Sequence, residues 1–169
     1  LQIKELSEGE VATLAGSGVA EIVDGIGFSA SFNSPVGVGV DLDETMIIIG
    51  DTENHRIRML NLSTSVVTTI AGSEIGFDDD IGTNAKFQAP HGVVLSPDGD
   101  TCYITDFENH RIRSMDMSTF IVQTLAGSEI QGLSDGFGTS ATFFNPADVA
   151  ISGDGETLLV VDAIAHRLR

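Results

Sequence analysis

The 169-residue sequence is poor in basic side chains, in aromatic rings and in cysteine. Its eight lysines and arginines stand against 25 aspartates and glutamates, which gives a formal net charge of −17 at pH 7. This charge repels phosphate backbones and anionic lipid head groups, so we expect neither nucleic acid nor a membrane as a partner. The single cysteine, Cys102, excludes an internal disulfide framework.

Long apolar runs are also absent. No stretch approaches the ~20 residues that span a bilayer, and residues 1–6 do not resemble a signal peptide. What the sequence does contain is 41% hydrophobic residues and 19 glycines. A chain of this length can bury a full core, so we expect one folded domain rather than a disordered segment. The composition leaves the cellular compartment open.

The sequence repeats itself three times. The triplet Ala-Gly-Ser recurs at 15–17, 71–73 and 126–128, at intervals of 56 and 55 residues. The same spacing separates three prolines and three His-Arg pairs, namely Pro35, Pro90 and Pro146, and His55-Arg56, His110-Arg111 and His166-Arg167. A fixed period of this length indicates a repeat architecture, with repeats of approximately 1–56, 57–111 and 112–167 within 1–169.

Each repeat predicts four short strands joined by turns. In the unit that begins after Pro35 they lie at 37–40, 46–49, 56–60 and 66–70, and turn residues such as those at 96–99 separate the equivalent strands of the unit after Pro90. Short turns cannot form parallel crossovers, so each unit is expected to be an antiparallel four-stranded meander. Four strands per ~55 residues without a helix predict an all-β fold, a β-propeller with about three blades in this chain.

The ends of the sequence predict a chain that starts and stops in mid-blade. Residues 1–6 and 11–14 match the third and fourth strands of a repeat, and Leu1 aligns with Ile57, Ile112 and Leu168. Closed propellers have roughly four to eight blades, so three repeats are too few to close a ring. We therefore expect either a larger parent protein or self-assembly.

The turn between the second and third strands carries a recurrent motif. Its copies at 51–58, 106–113 and 162–169 begin with Asp and contain His-Arg, and they resemble NHL repeats. The resemblance implies a β-propeller, often six-bladed, whose uses range from protein and RNA binding to a few metal-dependent enzymes. The third copy departs from the pattern, because Ala165 replaces Asn and Asp148 replaces the glycine after the strand-start proline, which puts its turn geometry in question.

Because the motif recurs in every repeat, we interpret it as structural rather than as a binding site. The aspartate is expected to accept backbone N–H groups in the turn and to pair with the arginine of His-Arg. The histidines lie on separate repeats and are not expected to converge on a metal ion. The residues given this structural role are Asp51, Asn54, His55, Arg56, Asp106, Asn109, His110, Arg111, Asp162, His166 and Arg167.

A long loop joins the fourth strand of each repeat to the next blade. We expect Phe32, Phe87 and Phe143 to anchor these loops, since burying such a side chain is worth about 1.5–3 kcal/mol. The polar side of each loop is then available for binding. Asp24, Asp79 and Asp135 could offer oxygen ligands to calcium, although their spacing does not match an EF-hand, and the alternative is an acidic, solvated turn.

Two polar residues are not repeated. His91 aligns with Val36 and Ala147, and both His91 and Asp148 stand at the start of an innermost strand, where they are expected to approach the central channel. Unrepeated ionisable groups are where a site can be added to a symmetric scaffold, so these two residues are candidate binding residues. Cys102 is expected to be a small buried hydrophobe without chemistry.

Two hypotheses for function follow. The first is a noncatalytic propeller segment that presents its long loops to a protein or small ligand, with a preference for cationic partners. It requires no cofactor, and calcium is the candidate divalent cation. The alternative is part of a metal-dependent propeller hydrolase or lyase with its site at the central channel. If the three repeats are the whole protein, two copies would form a homodimer that completes a six-bladed ring.

Overall fold

A computed structural model describes residues 2–7 and 9–169 and contains strands joined by turns and single 3-10 turns. No α-helix occurs in these described ranges, and none of their 3-10 turns is long and apolar enough to span a membrane. The strands are β1 (Ile3–Ser7), β2 (Glu10–Ala15), β3 (Gly25–Ile26), β4 (Pro35–Val40), β5 (Met46–Asp51), β6 (Arg56–Asn61), β7 (Val66–Ala71), β8 (Pro90–Leu95), β9 (Thr101–Asp106), β10 (Arg111–Asp116), β11 (Val122–Gly127), β12 (Pro146–Ile151), β13 (Leu158–Asp162) and β14 (Arg167–Leu168).

The strands form successive antiparallel meanders. Strands β4 to β7 make blade one, with β3 added at its outer edge, and strands β8 to β11 make blade two. Strands β12 to β14 make blade three, and β1 pairs only with β2. The predicted all-β fold of four-stranded antiparallel units is confirmed in blades one and two. The inner strands begin at the prolines, two residues earlier than predicted, with an irregular register just after each proline because proline lacks the N–H that a ladder needs.

The register of the first hairpin differs from the sequence alignment. Ile3 pairs with Ala15 in the way that Ile57 pairs with Ala71, so Ile3 is the counterpart of Ile57. The predicted alignment of Leu1 with Ile57 is therefore wrong by two positions, and Leu1 itself lies outside the described residues. The reason is the length of the turn, because two residues join β1 to β2 whereas four join β6 to β7.

Apolar side chains fill the spaces between successive sheets. The largest cluster lies between blades one and two and includes Ile48, Ile57, Phe87 and Ile104. A second cluster joins the β1–β2 hairpin to blade one, and a third joins blade two to blade three. The three loop phenylalanines are buried as predicted, with exposed fractions of 0% for Phe32, 0% for Phe87 and 6% for Phe143. The sheets thus bury their faces against one another, as the blades of a propeller do.

The inner strands approach one another closely. A Cβ atom at Gly37 would lie 2.1 Å from the His91 carbonyl oxygen, and one at Gly92 would lie 2.7 Å from the Cα atom of Asp148. These contacts join β4 to β8 and β8 to β12, so the three inner strands lie side by side. Glycine is required at both positions because any side chain would meet backbone that cannot yield.

This contact predicts the effect of adding one methyl group. Gly92→Ala should force β8 and β12 apart and lower the free energy of unfolding by about 1–3 kcal/mol, the usual cost of overpacking. Gly153→Ala is the matched control, because a Cβ atom there meets nothing within 4 Å. Urea unfolding of the two variants measures the difference, and equal stabilities would contradict the close packing of the inner strands.

Candidate functional site

The repeated motif, the long loops and the starts of the inner strands lie at one end of the blades. Pro35 at the start of β4 pairs with Asp51 at the end of β5, and Pro90 pairs with Asp106 in the same way. We call this the loop end. His91 and Asp148, near the starts of β8 and β12, lie there, whereas Asp24 and Asp79 lie against the outer strands of their blades, at Thr69 and Thr124. The turns at 41–45 and 96–100 lie at the opposite end.

Each loop is tied to its blade by a buried arginine. In blade one, Arg58 donates from one guanidinium nitrogen to Asp51, at 2.6 Å, and from the other to Asp24 of the loop, at 2.7 Å. The same two nitrogens also donate to the main-chain carbonyls of Ser31 and Val23. The Arg58 side chain is 0% exposed and its guanidinium lies over the Phe32 ring. One side chain therefore joins strand, turn and loop.

The same bracket is built in the other two blades. Arg113 holds Asp106, at 2.7 Å, together with Asp79, and it lies over the Phe87 ring. Arg169 holds Asp135, at 2.6 Å, and reaches Asp162 at 3.4 Å. We refer to the three sets as the arginine brackets.

The predicted partner of the motif aspartate was wrong. Arg56 does not pair with Asp51 but donates to the Asn54 carbonyl at 2.6 Å, and Arg111 likewise donates to the Asn109 carbonyl. Arg58 lies deeper in the sheet, so its long side chain extends back beneath the loop and ends between two carboxylates. Sequence reasoning missed Arg58, although the counterparts of this arginine recur with the same period as the histidines.

The motif aspartates accept a backbone N–H as predicted, but from the preceding long loop and not from the turn, which contributes the asparagine side chain. Asp51 accepts the Asn33 N–H at 2.7 Å and the Asn54 side-chain amide at 2.8 Å in addition to Arg58. Burial raises the pKa of the Asp106 carboxyl to about 6, although Arg113 and Asn109 act to lower it. This carboxyl is therefore ionised at neutral pH, where it balances the buried guanidinium.

The loop aspartates proposed as calcium ligands are occupied by protein groups. Asp24 accepts the Thr69 N–H and hydroxyl, each at 3.0 Å, besides its bond to Arg58. Although partial burial raises the pKa of Asp24, the hydrogen bonds from Thr69 and Arg58 hold it below its usual range. Asp79 makes the same contacts with Thr124 and Arg113. These carboxylates hold the loop against the outer strand of its blade.

The motif histidines occupy the left-handed region of the backbone and contact the next blade. His55 has a φ of 55°, and its Nδ1 atom accepts the Ala89 N–H at 3.1 Å. His110 has a φ of 56°, and its Nδ1 atom accepts the Asn145 N–H at 3.3 Å. Each histidine thus joins the turn of one blade to the loop that enters the following blade.

The third copy of the turn keeps the geometry of the others despite its altered sequence. His166 has a φ of 54° and donates its N–H to the Ala163 carbonyl, as His110 does to Phe107. Asp162 still accepts the Phe144 N–H at 2.7 Å. The replacement of asparagine by Ala165 therefore removes a side-chain hydrogen bond to the aspartate, but the backbone conformation of the turn is unchanged.

The two unrepeated residues lie on neighbouring inner strands, His91 on β8 and Asp148 on β12. His91 is half-buried at the start of β8 and stacks on the Phe107 ring, with centroids 4.1 Å apart. Burial lowers the pKa of His91, although Glu108 and Glu53 act to raise it. The Asp148 carboxylate accepts a hydrogen bond from the N–H of the following residue, Val149. It lies close to Gly92, the residue that follows His91 in the chain.

These residues do not form a metal-binding cluster. Within residues 2–7 and 9–169, no group of three His, Cys, Asp or Glu side chains could together hold a metal ion. Cys102 is fully buried, and burial raises the pKa of its thiol to about 12, which leaves it unreactive. The loop end therefore offers charged and aromatic contact groups.

Comparison with solved structures gives the class of fold. A Bacteroides thetaiotaomicron protein of unknown function matches 99% of this chain and 41% of its own, with 18% identity and a TM-score of 0.80. An auxiliary nutrient binding protein from Bacteroides ovatus matches 95% and 40%, with 22% identity and a TM-score of 0.71. The calcium-binding protein regucalcin from Agrobacterium tumefaciens matches 94% and 43%, with 14% identity and a TM-score of 0.57. The fold is that of a β-propeller.

Comparison with known sequences identifies the repeat. The NHL repeat family model matches residues 87–113. The chain is 34% identical over 143 residues to protein SUPPRESSOR OF QUENCHING 1, chloroplastic, of Arabidopsis thaliana, covering 79% of this chain and 13% of that protein. It is 32% identical over 107 residues to human NHL repeat-containing protein 2, covering 61% and 14%. Residues 87–113 thus match an NHL repeat and the chain is similar to an NHL repeat-containing protein, and it spans about 13–14% of the length of these relatives.

The arginine brackets predict that neutralising one buried carboxylate strongly lowers the stability of the fold. Asp106→Asn leaves Arg113 buried without its buried counter-charge, so the free energy of unfolding should fall by about 3 kcal/mol. Asp100→Asn makes the same chemical change on an exposed turn and should alter stability by less than about 0.5 kcal/mol. Urea unfolding at pH 7.5 provides the measurement. Similar losses in both variants would mean that the bracket is not a major source of stability.

Proposed function

We propose that this chain is a noncatalytic propeller segment that binds a basic, partly apolar protein segment or ligand through its long loops. The observation that carries the proposal is the surface of the loop at 72–89, which is flanked by two blades. Its side chains Ile75, Phe77 and Ile81 are exposed by 55%, 43% and 54%, next to the acidic run 78–80. Exposed apolar groups beside carboxylates suit a partner that combines lysine or arginine with apolar residues.

The other two loops repeat this arrangement. Each exposes apolar side chains at the positions equivalent to Phe77 and Ile81, together with one next to the counterpart of Ile75. They are Val19, Ile22 and Ile26 in the first loop and Ile130, Leu133 and Phe137 in the third. The brackets hold these loops against their blades, which supports a preformed surface, since binding then requires little ordering of the loop.

The distribution of charge favours a cationic partner. The arginines of the brackets are internal, and Arg56 and Arg111 donate to main-chain carbonyls of their own turns. Most of the arginines therefore have their partners within the blades, while the carboxylates of Glu53 and Glu108 remain at the surface of the loop end. Such a surface attracts cations at long range and accelerates their association.

His91 provides a second contact on the same end. Its stack with Phe107 and the nearby carboxylates of Glu53 and Glu108 suit the charged group of a small organic cation. We include Asp148, which lies beside it on β12, in this candidate binding set.

Calcium and catalysis have weaker support. The names of the neighbours include a nutrient binding protein and a calcium-binding protein, which supports binding in general for this fold. Asp24 and Asp79 are bonded to arginine, so calcium would have to displace Arg58 or Arg113 before using them. The alternative of a metal-dependent hydrolase or lyase rests on His91 and Asp148, and no described carboxylate or histidine joins them in a set of three.

Peptide binding tests the proposal. A labelled peptide of alternating lysine and leucine should bind in low salt and more weakly at higher ionic strength, whereas a glutamate–leucine peptide should not bind. Ile75→Ser together with Ile81→Ser should weaken binding about tenfold, because the partner loses about 1.4 kcal/mol of apolar contact. Leu42→Ser, an exposed apolar residue at the opposite end, is the control. Equal affinities of all variants would contradict binding through the loops.

We also propose that the 169-residue chain associates with a second copy of itself. A groove of about 470 Å³ beside β14 is lined by apolar residues that include Ile112, Phe143 and Val160. In blade two the corresponding place is filled by β11, and β2 has the same pattern, Val-x-Thr-Leu-Ala, as residues 122–126. Strand β2 of a second copy could therefore occupy this groove and pair with β14, in place of its pairing with β1, and close a ring of two chains.

The mass in solution tests this association. Light scattering of the 169-residue chain should give twice the 17.8 kDa of one chain at micromolar concentrations, with dissociation on dilution. A soluble monomer that persists at high concentration would contradict self-association and would leave the proposed loop binding unaffected.

A further inference from the structure

The joints between successive blades depend on the ionisation state of a histidine. The Nδ1 atom of His55 accepts the Ala89 N–H, and that of His110 accepts the Asn145 N–H. Only a neutral imidazole has a lone pair on Nδ1, so in both joints the histidine must be uncharged, with its proton on Nε2. A protonated imidazole would direct one N–H group at another and the hydrogen bond would be lost.

The residues that donate these bonds are poorly placed to find other partners. Ala89 and Asn145 have positive φ values of 53° and 60°, an unfavourable conformation that the surrounding contacts must maintain. Ala89 is buried as well, so its N–H has little access to water. Loss of the histidine acceptor therefore leaves a strained and unsatisfied segment directly before the inner strand of the next blade.

A second bond in each joint has a carboxylate as its acceptor. Gln88 donates its N–H to Asp106 at 2.8 Å, and Phe144 donates its N–H to Asp162 at 2.7 Å. Both acceptors are carboxylates within the arginine brackets. Adjacent amides of one loop are thus held by two different kinds of acceptor.

The surroundings of His110 favour its neutral form. Burial lowers its pKa most, and Arg111 lowers it further, whereas Asp162 and Glu108 act to raise it. Phe144 meets the ring edge-on and adds no charge. Because the folded pKa of His110 lies below the ordinary value of about 6.5, its bond is complete above that pH and is lost as the pH falls through the folded pKa.

We propose that His110 is a pH-sensitive latch between blades two and three, which releases the Asn145 amide at mildly acidic pH and loosens that loop while the bond from Phe144 to Asp162 beside it persists. The inference concerns the regulation of the loop surface and does not depend on which partner the loops bind.

Amide hydrogen exchange of the intact chain, followed by NMR and corrected for the intrinsic rate at each pH, tests the latch. Between pH 7.5 and pH 5, protection of the Asn145 amide should fall about tenfold, the effect of losing one hydrogen bond. Protection of the neighbouring Phe144 amide, which bonds to Asp162, should change by less than about twofold. A parallel fall at both amides would indicate general acid unfolding and would overturn the proposal.

An asparagine variant removes the titrating acceptor. Asparagine tolerates a positive φ and its side-chain oxygen accepts a hydrogen bond at every pH used, so His110→Asn should abolish the pH response at Asn145. His55→Asn makes the same change in the other joint and is the matched control, which should leave the response at Asn145 in place. A pH response that persists at Asn145 in the His110→Asn variant would overturn the assignment of His110 as a latch.

Discussion

The rest of the structure depends on the burial of one arginine per blade between two carboxylates. A guanidinium inside a sheet protein is tolerated only when most of its donors meet acceptors. The terminal nitrogens of Arg58 and Arg113 all meet carboxylates or main-chain carbonyls, whereas the buried Nε of Arg58 has no hydrogen-bond partner. Those acceptors come from a strand end, a turn and a long loop. Their shared arginine therefore ties together segments that are far apart in the sequence, and the loop becomes part of the blade.

The brackets act together with the close approach of the inner strands. Gly37 and Gly92 let neighbouring strands meet, while Phe32 and Phe87 fill the wider space near the loops. Each blade consequently needs the next to bury its face, as in repeat proteins, where stability is carried by contacts between neighbours. The exposed surface of the loop end is then left with little basic charge, because the basic side chains have been used internally.

Sequence reasoning identified the right segments but not all of their roles. The Asp and His of the motif, and the loop phenylalanines, were found because they repeat. Arg58 was missed, and Asp24 was interpreted as a candidate calcium ligand, because a loop carboxylate bonded to a buried arginine looks the same in a sequence as a solvated one. Likewise the alignment of Leu1 failed because a shorter hairpin turn keeps the strand pattern while changing the register.

The sequence by itself determined the repeat, the strand order and the loops, because these depend on local periodicity and on turn residues close together in the chain. Only the tertiary structure decided the partners of the charged and polar side chains. Arg58 meets Asp24 across 34 residues, and His55 meets Ala89 across the same separation. Such choices depend on how neighbouring sheets pack in three dimensions, and no local pattern encodes them.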